Sequence, residues 1–418
     1  MHINTSDVTG GAARAAYRLH SGLSRQDYDS SMFVAHCGSG DRSITAFSPP
    51  MDLRSRLRRV LQRELIWRDF VRYQSSRPPN YDNFTDDRSE HGAAPLGQLP
   101  FCEVINLHWI AGFVDYRSFF TWVPSHIPIV WTFHDMNPFT GGCHYDEGCG
   151  RFVECCGGCP QLGSKDLHDL SRQIWHRKRN IFQQIEPDRL HIVTPSLWLT
   201  EEAKRSSILR RFSSSVIPNG LDTDIFSPRD PGIARAVLEV PQSARVVLFV
   251  AGSTDTWRKG FVFLAEALSE LTEVPNLFLV SLGGGRPALN SHIDHLHLGH
   301  VDNDRLLSFA YSAADVFVIS SVQDNFPNTV LEALACGTPV VGFSVGGIPE
   351  MVRSGVTGLL APPGDERALA GAISHLLEND ATREEMSANC RRIATEEYSL
   401  EIQANRYIKL YEALMNGQ

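Results

Sequence analysis

The chain has 418 residues, with 39 basic and 48 acidic side chains and a formal net charge of −9. That length can bury two domain cores, and the acidic balance excludes a general nucleic-acid binder, whose phosphate contacts need a basic face. No apolar run approaches the roughly 20 residues that span a bilayer, and no basic-then-apolar leader opens the sequence, so the expected location is the cytoplasm.

Strand-like and helix-like patterns alternate along the chain, which predicts an α/β protein with parallel sheets. Residues 1–4 read as the end of a first strand, because the glycine turn Gly10-Gly11 and a helix over 12–23 follow at once. A βα unit normally has a longer strand there, so either the strand is short or the sequence starts a few residues late, and the second is the preferred reading. Further strands are expected at 31–34, 104–107, 127–133 and 191–194. Residues 52–74 form a basic amphipathic helix with Leu53, Leu57, Val60, Leu61, Leu65 and Val71 at helical spacing. It carries seven arginines against three acids, with Trp67 and Phe70 among them. Two readings stand side by side: contact with an anionic membrane surface, or a solvated helix packed by its leucines on the domain. Residues 75–98 are polar and proline-bearing and read as a mobile loop.

The domain junction lies near 219–228, giving a first domain over 1–221, completed by 400–418, and a second over 222–399. The second opens with a buried strand at 246–251 and a helix at 260–271. The next strand, 277–282, ends in Gly283-Gly284-Gly285, which is not a dinucleotide fingerprint and sets aside a nicotinamide-dependent enzyme. After a strand at 314–319 comes the most informative stretch, DNFPNTVLEALACG from Asp324 to Gly337. Asn325, Pro327 and Asn328 read as a turn and helix start, and 330–336 as a short helix closed by Gly337. A strand at 338–343 leads to the turn Gly346-Gly347. Asp324 and Glu332 thus fall at the carboxyl ends of parallel strands, where open α/β sheets bind ligands. Two acids there suit sugar and ribose hydroxyls; the plainer reading is an N-cap and a solvated glutamate. A last helix is expected over 399–416.

The acid-x7-acid spacing of Asp324 and Glu332 resembles the signature of family 4 glycosyltransferases. Pro218-Asn219-Gly220-Leu221-Asp222, Lys259-Gly260, Gly346-Gly347-Ile348-Pro349-Glu350 and Gly355-Val356-Thr357-Gly358-Leu359-Leu360 match it in order, as do Gly10-Gly11, His108 and Thr132-Phe133-His134-Asp135. A closer likeness, to bacterial enzymes of colanic acid and other exopolysaccharide assembly, comes from GGAARAAYRLH (Gly10 to His20). It also comes from His134-Asp135-Met136 running into Gly141-Gly142-Cys143-His144-Tyr145. The resemblance implies two facing Rossmann-like domains of the GT-B type, a donor cleft between them, and a C-terminal helix crossing back to the first domain. It implies retaining transfer from a nucleoside-diphosphate sugar to a glycan or lipid-linked glycan, with no protein nucleophile and with peripheral contact at the inner membrane face.

Such a reaction builds charge on the departing diphosphate, so cations and helix amino-termini are expected there. Lys259 matches the family lysine. Ser253 stands where the family carries a second cation, and Arg258 is the expected substitute. Glycines at 346 and 347 let backbone amides approach a phosphate, with Gly10, Gly11 and Asn325 also on the donor side. Glu332 is expected to hold the ribose. Asp324, where the family mostly has glutamate, is expected to meet the donor sugar. His108 matches the active-centre histidine, and His134 lies on the acceptor side with Asp135 orienting it. No Asp-x-Asp pair marks a divalent metal on the donor, and no cofactor is expected in the chemistry.

Nine cysteines, five of them between 143 and 159, fit reduced thiols or a metal better than a disulfide scaffold. Cys143, Cys149, Cys156 and Cys159 have spacings suited to a structural zinc, which would order a glycine-rich segment that burial alone is not expected to hold. Thiols without metal are the alternative. Two other functions remain open: a nucleotide-sugar epimerase or phosphorylase of the same architecture, and a non-catalytic nucleotide- or glycan-binding protein.

Overall fold

A computed structural model of the chain describes residues 1–79, 81–285, 287–289 and 293–417. It divides into two compact units, Met1–Pro218 with Gln403–Gln418, and Asn219–Ile402. Each is built on one parallel sheet. The first sheet contains β1 (His2–Ser6), β2 (Met32–His36), β3 (Ile44–Ala46), β4 (Ile105–Leu107), β5 (Ile129–Thr132), β6 (Leu190–Thr194) and β7 (Ser213–Val216), in the order β3-β2-β1-β4-β5-β6-β7. The second contains β8 (Arg245–Ser253), β9 (Leu277–Gly284), β10 (Asp294–His297), β11 (Val316–Ile319), β12 (Val340–Phe343) and β13 (Gly358–Ala361), in the order β10-β9-β8-β11-β12-β13. Both are Rossmann-like, and in each the strand order reverses once, between β1 and β4 and between β8 and β11. Those reversals are where a ligand crevice opens in doubly wound sheets.

Strand alternation explains how each sheet is covered on both faces. Ile129 and Trp131 of β5 enter one core with Ile3, Phe33, Leu107 and Ile192, while Val130 enters another with Leu19, Leu23 and Val193 of the opposite face. In the second unit Leu248, Phe317 and Val340 face one layer and Val247, Val318 and Val341 the other. The strands read from sequence recur here within a few residues. Strands β3, β7, β10 and β13 did not announce themselves: β3 has three residues, β7 and β10 are the polar runs SSSV and DHLH, and β13 is the four-residue run GLLA. Each is a sheet edge, too short or too polar to carry the apolar signal that marks a central strand.

Two expectations are overturned. Residues 81–98 of the segment read as a mobile loop are packed: Phe84, Asp87, Ser89 and Leu96 are buried, and residues Ala94–Gln98 form a short 3₁₀ helix, while residue 80 lies outside the described residues. Arg88 pairs with Asp69 at 2.8 Å and Asp86 at 2.8 Å, and Arg177 pairs with Asp86 and Asp87 at 2.9 and 2.7 Å. Polar composition here reflects ion pairs rather than solvation. In the second case, the helix α1 (Gly11–Ser24) is followed by α2 (Leu53–Val71), whose leucines do not pack on the domain. None of its residues is buried, and Leu53 is 81% exposed, with Leu57, Val60, Leu61, Leu65 and Trp67 also exposed. Its partly covered side includes Ser55, Arg59, Gln62, Ile66, Asp69 and Phe70. No helix among the described residues is long and apolar enough to cross a membrane.

The final helix, Leu400–Met415, seats Ala404, Tyr407 and Tyr411 in the core of the first unit against Leu19, Val104 and Val130. A buried polar chain fixes its rotation. Asn106 donates from Nδ2 to the Tyr411 hydroxyl at 2.8 Å, Thr132 donates to Asn106 Oδ1 at 2.9 Å, and the Thr132 and Tyr407 hydroxyls lie 2.9 Å apart. Asn106→Ala removes the shared partner of two buried hydroxyls and should destabilise the first unit by about 1–3 kcal/mol. The urea midpoint of that unit's transition measures it, and an unchanged midpoint would show that the chain does not seat the helix.

Candidate functional site

The strand reversal of the second unit brings two loops together. After β8 the chain makes a 3₁₀ turn, Trp257–Lys259, and passes through Gly260 at φ 69° into the helix Phe261–Ser269. A Cβ on Gly260 would collide with the carbonyl oxygen of Ser320, just beyond β11. The glycine therefore serves both the left-handed turn and the close approach of the two loops. Arg258 is buried; its Nη1 donates to the Gln323 carbonyl at 2.9 Å, and the Val322 N–H donates back to the Arg258 carbonyl at 2.9 Å.

Both expected cations meet the first acid. Lys259 Nζ lies 2.6 Å and Arg258 Nη1 3.2 Å from Asp324 Oδ2. Burial would raise the Asp324 carboxyl, but the charges of Lys259 and Arg258, the Lys259 hydrogen bond and the Asn325 N–H hold it at about 2. Asn325 is itself buried and donates its N–H to Asp324 Oδ1 at 3.0 Å. Arg258, the expected substitute for the second cation, is thus placed beside Lys259 on the same carboxylate oxygen. Sequence alone did not foretell that Asp324 would hold both cations.

The turn after β12 joins the same cluster. The Gly347 N–H donates to the Asp324 carbonyl at 3.0 Å, and a Cβ on Gly346 would collide with that oxygen. The glycine pair therefore seats one loop on the other. Glu332 sits in the helix Asn328–Ala335, is buried, and accepts at Oε2 from the Tyr311 hydroxyl at 3.0 Å. Tyr311 lies in the core on the helix Asp304–Ala313, 21 positions before Glu332, and nothing in its surroundings in sequence pointed to this role.

In the first unit the reversal between β1 and β4 gathers imidazoles. Gly10, at φ 92°, caps α1 beside the exposed Gly11. His108 is buried, with Nδ1 3.1 Å from Nε2 of the partly exposed His134 and Nε2 2.9 Å from Nδ1 of buried His2. Burial pushes all three histidines toward the neutral form, His134 to about 4. The expectation that Asp135 orients His134 is corrected: Asp135 Oδ2 lies 2.6 Å from Nδ1 of His144 and accepts from Trp109 Nε1 at 3.0 Å. His134 and Asp135 lie in a bend beyond the strand Ile129–Thr132, and there the acid serves a histidine nine places on. His144 Nε2 continues to the Thr85 hydroxyl at 3.0 Å.

The cysteine segment keeps its shape through packing. Met136, Phe139, Thr140, Phe152 and Leu162 are fully or almost fully buried. Lys178 Nζ, wholly buried, donates to the carbonyls of Asn137 and Thr140 at 2.5 and 3.2 Å. Gly141, Gly142 and Gly157 lie where a Cβ would strike Ser171, Phe84 and Leu167. The expectation that burial could not hold this segment is therefore overturned. Cys143, Cys156 and Cys159 are buried, and burial raises their thiols, Cys159 to about 11. Cys149 is partly exposed. Among the described residues no group of three or more His, Cys, Asp or Glu side chains is placed as a metal site, although the thiols of Cys143, Cys149, Cys156 and Cys159 lie near enough to act electrostatically on one another.

Comparison with known proteins bears on the family and the fold. Residues 244–379 match the family model described as glycosyl transferases group 1. An uncharacterized glycosyltransferase of Methanocaldococcus jannaschii is 31% identical over 293 residues, covering 66% of this chain and 70% of that one. Sucrose-phosphate synthase from Thermosynechococcus elongatus has the same fold, with a TM-score of 0.69 at 20% identity over the whole of both chains. HepE of Anabaena, solved with UDP and glucose, superposes with a TM-score of 0.64 at 15% identity, over 99% of this chain and 98% of its own.

The Asp324 cluster has a signature in acid. Its carboxyl is held near 2 against an ordinary 3.8, so its contribution of about 2 kcal/mol is complete above pH 4 and lost as pH falls through 2. Asp324→Asn should flatten this part of the stability curve, read by urea unfolding between pH 4 and 2. Parallel curves for variant and wild type would show that the carboxylate gains nothing from its two cations.

Proposed function

The chain belongs to the group 1 glycosyltransferases, and from that premise we propose that it moves a sugar from a nucleoside diphosphate, with retention, onto a polysaccharide or lipid-linked oligosaccharide. The product class is an exopolysaccharide of the colanic acid kind, assembled at the cytoplasmic face of the inner membrane. In this reading residues 222–399 take the donor, and 1–221 with 400–418 take the acceptor.

The observation that carries the donor half is the Arg258–Asp324–Lys259 cluster at the strand reversal. Two cations share one carboxylate, so an incoming diphosphate exchanges that carboxylate for its own oxygens. Asp324 is then released toward the sugar hydroxyls, while Glu332, fixed by Tyr311, offers its other oxygen to the ribose. As the bond from the anomeric carbon to the diphosphate breaks, Lys259 and Arg258 stabilise the departing charge. The acceptor oxygen attacks from the same face, and its proton passes to the leaving phosphate oxygen. The UDP and glucose of HepE support a uridine donor.

The membrane half rests on α2. Its outward side presents Leu53, Leu57, Val60, Leu61 and Trp67, with Met51 and Phe101 also exposed. Arginines at 54, 56, 58 and 63 are exposed among them. Apolar side chains bordered by arginines match the boundary between anionic headgroups and acyl chains. A second copy of the same helix would instead bring arginine against arginine.

Transfer from a panel of nucleoside-diphosphate sugars tests the reaction, with Lys259→Ala as the control. That variant should lose on the order of 10²-fold in kcat with the fold intact. Glu332→Gln should weaken binding of free UDP more than Asp324→Asn does. Wild-type kcat in Lys259→Ala would remove the cation from the reaction.

The full-length chain should co-sediment with vesicles containing anionic lipid, less so with neutral ones and less in high salt. Replacing Leu57, Leu61 and Trp67 together by serine should abolish the binding even in low salt. Retained binding in that triple variant would show that the apolar side chains take no part.

A further inference from the structure

We propose that His2 is a positioning residue for the reaction. It closes a file of three hydrogen-bonded imidazoles, His2–His108–His134, whose common proton order sets the tautomer and ring angle of His134. The proposal rests on the reading of His108 and His134 as acceptor-side groups.

Strands β1, β4 and β5 are consecutive in the sheet, and the three histidines lie on β1, just after β4 and just after β5. The register pairs His2 with Asn106, so His108 is the diagonal neighbour two residues on. Neighbouring rings have centroids 5.2 and 5.3 Å apart and are tilted by 35° and 24°. The middle ring is anchored through its main chain. Its N–H donates to the Ile3 carbonyl at 2.9 Å, and its carbonyl accepts from Trp131 Nε1 at 3.0 Å. His2 and His108 are buried, whereas His134 is partly exposed. The file therefore has one end within reach of a substrate.

A neutral imidazole has one N–H donor and one acceptor nitrogen. His108 uses both nitrogens in the file, so it donates in one direction and accepts from the other. If His108 donates from Nδ1 to His134, then His2 donates from Nδ1 to His108, and His134 carries its proton on Nδ1. In the reverse order His134 donates from Nε2, His108 donates from Nε2 to His2, and His2 carries its proton on Nε2. Turning one ring's tautomer turns all three. Without His2, the buried Nε2 of His108 has lost its partner and no longer dictates what Nδ1 does toward His134. A core histidine that merely fills space would affect stability without affecting that proton order.

The test compares His2→Leu, His2→Asn and His134→Ala in the full-length chain. Readouts are kcat and KM for transfer, calorimetric binding of UDP, urea midpoints, and long-range proton–nitrogen NMR of ¹⁵N-histidine-labelled protein. Asparagine places an amide where Nδ1 of His2 stood. His2→Leu should lower kcat by about tenfold or more, leave UDP affinity unchanged, and shift the His134 nitrogen resonances toward mixed tautomers. His2→Asn should restore most of the rate and the single tautomer. An unaltered His134 spectrum in folded His2→Leu overturns the proposal, as does a kcat within about twofold of wild type. So does a His2→Asn variant as slow as His2→Leu with the same loss of stability. Full activity in His134→Ala would instead sink the acceptor-side reading of that residue, whereas an inactive His134→Ala beside a normal His2→Leu sinks the positioning role alone.

Discussion

The carboxylate of Asp324 is buried with two cations on one of its oxygens, and the rest of the second unit's site is arranged around it. A charged group at that depth costs several kcal/mol unless it is paired and hydrogen-bonded. Arg258 is as deeply placed as Asp324, and Lys259 brings a second, nearer cation to the same carboxylate oxygen. The pairing therefore fixes the spacing of the loops that follow β8 and β11. Gly260 and Gly346 remove the side chains that would hold those loops apart. The same arrangement gives both cations an anionic partner, with one carboxylate oxygen between the two.

The first unit solves its comparable crossing point differently. There the groups are neutral imidazoles, kept so by burial, and order is carried by hydrogen-bond direction instead of net charge. Asp135, ionised beside His134, is satisfied by His144, Trp109 and the Asn137 N–H. In the function proposed above, the fixed charge would serve the departing diphosphate and the neutral imidazoles the acceptor hydroxyl.

The helix α2 shows the limit of reading periodicity. Leucines at helical spacing announce an apolar side but not which way it turns, since the same spacing serves a core-facing and an outward-facing helix. Arg59 reaching the Pro50 carbonyl, Asp69 pairing with Arg88, and Phe70 stacked on Phe84 set the rotation. All three contacts involve residues outside the apolar stripe.

What the sequence determined by itself is what short-range chemistry controls. Strand and helix alternation, the helix start at Asn328, the turn glycines and the types of residue at Lys259, Asp324, Glu332 and His108 are all legible in order along the chain. Partner choice is not, because it depends on which residues the sheets bring side by side. Lys259 and Asp324 meet across 65 positions, His2 and His108 across 106, and Asn106 and Tyr411 across 305. Asp135, in a bend beyond its strand, passed over its neighbour His134 for His144. The cysteine segment, rich in glycine and seemingly shapeless, is ordered by the bulk of Phe84, Ser171 and Leu167 brought in from elsewhere. Local pattern selects the elements and the chemistry; only the register of parallel strands decides which buried charge or imidazole faces which, since every such contact spans a crossover that no local pattern records.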